Sequence, residues 1–148
     1  MDEELEYDKL KTKVLKFVLF KKRTENEVRQ KFSENSGNIL ENIIEYLKEE
    51  NYINDEQYIK KSINEFKALK NLSIKEIKYK LIAKGIKTSL IDEYIYTNKE
   101  EMLNFEITSA KNILSKKQNQ MEQDEIIEYL LKKGYMKESI DIALNDMD

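Results

Sequence analysis

The sequence predicts an all-α protein: three tandem three-helix repeats forming an elongated, curved array. Three observations predict it. The 148 residues include no Pro and only three Gly, so residues that break helices are nearly absent. Apolar residues recur at steps of three and four along almost the whole chain. One pattern also returns: TENEVRQKF at 24–32, SIKEIKYKL at 73–81 and QMEQDEIIEYLL at 120–131. A step of 49 residues superposes Glu27, Glu76 and Glu125, and likewise Val28, Ile77 and Ile126.

The elements follow in order. Leu10, Val14, Phe17, Val18 and Phe20 or Lys21 make an apolar stripe on a first helix over about 4–22. Thr24 opens the second helix with a capping box: its hydroxyl accepts the Glu27 N–H, and the Glu27 carboxylate reaches back to the Thr24 N–H. SENSGN at 33–38 is a turn in which Gly37 takes a left-handed conformation. ILENIIEYLKEE is the third helix, with Ile39 or Leu40, Ile43, Ile44 and Leu47 inward. After the connector NYIND, Asp55 is placed to cap a fourth helix that buries Tyr58 or Ile59, Ile63 and Phe66.

Ser73 and Glu76 form a second capping box for the fifth helix, which stops at Lys84-Gly85-Ile86. Thr88 or Ser89 starts the sixth. A seventh covers 99–117, an eighth runs over 122–133 to Lys133-Gly134-Tyr135, and a ninth covers 137–147. Gly85 and Gly134 suit left-handed turns, where a Cβ is penalised. Tyr52 and Tyr135 are expected at junctions between units. The expected units are 1–54, 55–98 and 99–148.

Composition excludes several chemistries. With no Cys and no His there is no Cys/His zinc site, thiol nucleophile, disulfide or histidine acid–base catalyst. No apolar run approaches the ~20 residues that span a bilayer. The acidic start MDEELEYD is unlike a secretory leader, so a cytoplasmic location is expected. Glu27, Glu76 and Glu125 recur at helix starts, where they cap and meet the dipole rather than gather round a metal. No phosphate-cradling loop or nucleophile–base pair is present. The expectation is a non-enzyme with no catalytic, metal-binding or cofactor-binding residue.

The net charge of −3 is uneven. Residues 9–31 carry nine cations against two anions, and 56–99 carry ten against five, whereas 100–148 carry six against eleven. Lys21, Lys22, Arg23, Arg29 and Lys31 in the first unit, and Lys75, Lys78, Lys80, Lys84 and Lys87 in the second, are the candidate partner- or DNA-binding residues. Solvated faces of amphipathic helices are the competing explanation for each.

LFKKRTENEVRQKF, EYLKEENYINDEQYI, IKEIKYKLIAKGI and YLLKKGY, in that order and spacing, resemble the RecX family of recombination regulators. The matching positions are Arg23, Thr24 and Glu27; Tyr52, Ile53, Asn54 and Asp55; Lys84, Gly85 and Ile86; and Lys133, Gly134 and Tyr135. Asn51 stands where the family often has Gly, and Asn71-Leu72 where a Gly is frequent. The resemblance implies binding of the RecA recombinase filament on single-stranded DNA, most often with inhibition of ATP hydrolysis and strand exchange. It implies a monomer that needs no cofactor and no membrane, with DNA phosphates as a second contact. The rival is a helical-repeat DNA-binding protein acting independently of RecA. Sparse Arg, and no base-reading set at the start of a helix, weigh against the rival.

Overall fold

The computed structural model describes residues 2–35 and 37–147. Among them lie nine α-helices and no strand. The first unit holds α1 (Glu3–Phe20), α2 (Glu25–Lys31) and α3 (Asn38–Glu49); a short 3-10 turn at Ser33–Asn35 follows α2. The second holds α4 (Asp55–Leu69), α5 (Ile74–Ala83) and α6 (Thr88–Thr97). The third holds α7 (Lys99–Lys117), α8 (Gln123–Lys133) and α9 (Lys137–Asp146).

Caps set the starts of the middle helices. Thr24 Oγ1 accepts the Glu27 N–H at 3.1 Å while the Thr24 N–H donates to Glu27 Oε1 at 3.0 Å. Ser73 and Glu76 repeat both bonds at 3.0 Å. In the third unit the Glu122 N–H donates to Glu125 Oε1 at 3.3 Å. Gly85 and Gly134 do adopt positive φ, +81° and +97°.

Two local expectations are corrected. Asn54, not Asp55, caps α4: its Oδ1 accepts the Gln57 N–H at 3.0 Å, and Asp55 is the first helical residue. Asp55 is thereby released for a contact outside its own helix. Tyr52 is exposed, and the neighbouring Ile53 fills the core in its place. The connector also explains Asn51, whose φ is +65°. Asn is the side chain that best tolerates the left-handed region when Gly is absent.

Three apolar clusters form the interior. The first gathers Val14, Val18, Val28, Ile43, Ile44 and Leu47 from α1, α2 and α3. The second gathers Ile59, Ile63, Ile77, Leu81 and Ile91 from α4, α5 and α6. The third gathers Ala110, Ile113, Ile126, Leu130, Ile140 and Ala143 from α7, α8 and α9. A three-helix unit of this size buries too little surface to be robust alone, so packing between units matters. α7 supplies part of it: Met102 and Phe105 at its start belong to the second cluster. The helix packs on α5 and α6 as well as on α8 and α9.

Candidate interaction surface and the joints that shape it

Capping does more than start helices. Thr24 Oγ1 donates to the Lys84 carbonyl, sixty residues away, at 2.8 Å. Ser73 Oγ donates to the Lys133 carbonyl, also sixty residues away, at 2.8 Å. Both hydroxyls are fully buried. One oxygen therefore accepts an amide proton from its own helix and donates its own proton to the next unit. A hydroxyl can do both through one atom; an ionised Asp has nothing to donate.

The glycine after each carbonyl completes the joint. A Cβ at Gly85 would lie 2.2 Å from Asn26 Nδ2 and 2.3 Å from Asn26 Cβ. A Cβ at Gly134 would lie 2.8 Å from Lys75 Cδ and 2.9 Å from Lys75 Cβ. Asn26 and Lys75 are themselves 49 residues apart, so the same approach is used twice.

A carboxylate from the following unit meets the first amide of α2 and of α5. Asp55 Oδ1 accepts the Glu25 N–H at 3.0 Å, and Glu106 Oε1 accepts the Ile74 N–H at 2.9 Å. Both sit at the positive end of a helix dipole. Glu106 is fully buried. Its second oxygen accepts the Met136 N–H at 3.2 Å and the Ser139 hydroxyl at 2.5 Å, so one carboxylate joins the starts of α5 and α9. Beside it Tyr135 is buried, with its hydroxyl 2.6 Å from Ser109 Oγ. Burial chiefly raises the Tyr135 phenol well above its ordinary range.

Around the first joint, charges are interlocked. Glu25 Oε1 meets Lys48 Nζ at 2.8 Å, and Glu25 Oε2 meets Arg29 Nε at 3.0 Å. Burial alone would raise the Glu25 carboxyl, but hydrogen bonds from Lys48 and Arg29 hold it below its ordinary value. Asp55, which no cation hydrogen-bonds, is pushed up mainly by burial. Glu25, Lys48 and Asp55 line a groove of about 440 Å³ together with Lys87, Ser89 and Glu93.

The ten candidate cations divide by what they touch. Arg23 donates Nε–H to the Phe17 carbonyl at 3.2 Å, with its guanidinium 3.9 Å from the Phe17 ring centre. Arg29 bridges Glu25 and Glu41. Lys78 pairs with Asp92 at 2.7 Å. The stem of Lys75 lies against Gly134. Lys21, Lys22, Lys31, Lys80, Lys84 and Lys87 are exposed. Lys22 is brought beside Lys60 and Lys61 of α4. Sequence reasoning missed those two lysines, because nothing local relates them to residue 22. It also missed Glu106, for which a signal existed: Met102, Glu106, Ala110 and Ile113 share one helical stripe, which puts a carboxylate among core residues.

Among the described residues no group of His, Cys, Asp and Glu is arranged to hold a metal ion, and no helix is long and apolar enough to cross a membrane. Every buried side-chain oxygen or nitrogen described has a hydrogen-bond partner. Three units in series, joined twice by one hydroxyl-to-carbonyl device, make this a helical-repeat protein.

No family model matches the chain. It is 32% identical to the regulatory protein RecX of Clostridium acetobutylicum, over 98% of its own length and 72% of that protein's. It is 34% identical to the regulatory protein RecX of Clostridium perfringens, over 89% of its own length and 65% of that protein's. With the Staphylococcus epidermidis regulatory protein RecX it shares 26% identity and spans 57% of that protein. The crystal structure of RecX from Lactobacillus salivarius has the same fold, with a TM-score of 0.80 at 22% identity over 96% of both chains. The chain belongs to the RecX family.

Proposed function

We propose that the chain binds the RecA filament assembled on single-stranded DNA and restrains its ATP hydrolysis and strand exchange. One observation carries this: 32% identity across 98% of the chain to a protein named a regulatory protein of the RecX type. The physical support is the repeat. Units placed in series can each address a successive subunit of a helical filament, and weak contacts then add through effective concentration. The exposed cations Lys21, Lys22, Lys31, Lys80, Lys84 and Lys87 are the proposed contacts to acidic recombinase surface or DNA phosphates. Arg23, Arg29, Lys75 and Lys78 serve instead to shape that surface. Regulation of this kind needs occupancy, not catalysis, and a cytoplasmic monomer suffices.

The test is to add the purified protein to RecA, single-stranded DNA and ATP. Co-sedimentation with the filament, slower ATP turnover and slower strand exchange are expected. Saturating protein that neither pellets with the filament nor changes either rate overturns the proposal.

A further inference from the structure

Lys22 leaves the end of α1 and arrives beside Gln57, Lys60, Lys61 and Asn64, which together with Glu65 line a groove of about 540 Å³. The spacing 57, 60, 61, 64 is one face of α4, the side away from buried Ile59 and Ile63. Neither Lys22 nor Lys60 pairs with a carboxylate among the described residues, and Lys61 meets only Glu65, at 4.0 Å between two exposed side chains. Immediately before Lys22, Leu19 is 65% exposed and Phe20 is 82% exposed. Two large apolar side chains thus stand in water two and three residues ahead of Lys22 in the chain.

We propose that this groove seats an acidic linear protein segment that also carries apolar side chains. Charge complementarity calls for an anion. The other lining groups favour peptide over nucleic acid. Gln57 and Asn64 both donate and accept, matching main-chain N–H and C=O, whereas a phosphate backbone only accepts. Leu19 offers nothing to a base but buries well against an apolar side chain. The inference goes beyond the filament proposal and does not depend on it, since its test contains no recombinase.

The probe is a fluorescein-labelled peptide of alternating glutamate and leucine, titrated with the full chain by fluorescence anisotropy at low salt. Saturable binding is expected, weakening as salt rises. The triple change Lys22→Gln, Lys60→Gln, Lys61→Gln weakens it by about tenfold or more, and Phe20→Ala alone weakens it by about threefold. Circular dichroism melts confirm that the variants stay folded, as expected for exposed positions. A control removing equal charge elsewhere on α1, Lys9→Gln, Lys13→Gln, Lys16→Gln, leaves affinity unchanged. No saturable binding, an unaltered affinity in the triple variant, or an equal loss in the control overturns the proposal. So does tighter binding of labelled oligothymidylate through the same three lysines.

Discussion

Thr24 and Ser73 each perform two tasks with one oxygen, and substitutions separate the tasks. Thr24→Val keeps the shape, loses the cap and leaves the Lys84 carbonyl without its donor. A loss of about 2 kcal/mol is expected in denaturant unfolding. Thr24→Ser keeps both bonds and stays within about 0.5 kcal/mol of the parent. The glycines make the complementary case. Gly85→Ala places a methyl 2.3 Å from Asn26 Cβ at a φ of +81°. Left-handed strain and overpacking together predict a loss of about 2–4 kcal/mol. Gly134→Ala is milder, because its methyl meets Lys75 Cδ at 2.8 Å and Cβ at 2.9 Å, a less severe approach than the 2.3 Å at Asn26 Cβ. The positive φ of both glycines was legible, because a turn after a helix is a local event. Their tight contact with the previous unit was not, because Asn26 and Lys75 are distant in sequence.

Helix starts are where the units are held together. Glu106 satisfies the first amide of α5, the amide that opens α9 and the Ser139 hydroxyl. Glu106→Gln turns an NH2 group toward donors and is expected to cost about 3 kcal/mol. Amide hydrogen exchange checks it: protection at Ile74 and Met136 falls together, because one carboxylate holds both. At the first joint, acid separates two carboxyls of opposite behaviour. Glu25 is held below its ordinary 4.5, so its stabilisation is full above that value and is lost as pH falls through the lowered one. Asp55 is raised above its ordinary 3.8, so its ionisation costs stability as pH climbs past 3.8, and its protonation in acid offsets part of the Glu25 loss. Melting temperature against pH should therefore be flatter below about 4.5 in Glu25→Gln and steeper in Asp55→Asn.

At the scale of the molecule, stability is shared between neighbours rather than spread evenly. Combining Thr24→Val with Asp55→Ala removes two of the bonds at the first joint and leaves the second intact. Hydrogen exchange is expected to rise at Glu25 and Gly85 while Ile74 and Gly134 keep their protection. Uniform loss across both joints would instead show one cooperative body. The serial order also bears on partners: with α7 spliced into the second cluster, the second and third units act together more than the first and second do.

The sequence by itself determined the nine helices, their middle caps, the glycine stops and the 49-residue repeat. The helices, caps and stops each depend on residues within about four positions of one another, so periodicity and capping chemistry suffice, and the repeat is the same local pattern read three times along the chain. Only the tertiary structure decided that the capping hydroxyls bridge units, that Asp55 serves α2 rather than α4, and that Glu106 ties two helix starts. It alone separated cations spent on Phe17, Glu41 and Asp92 from those left in water, and brought Lys22 to Lys60 and Lys61. The reason is geometric: the angle at which one unit meets the next sets where long side chains end, and no pattern along the chain encodes that angle.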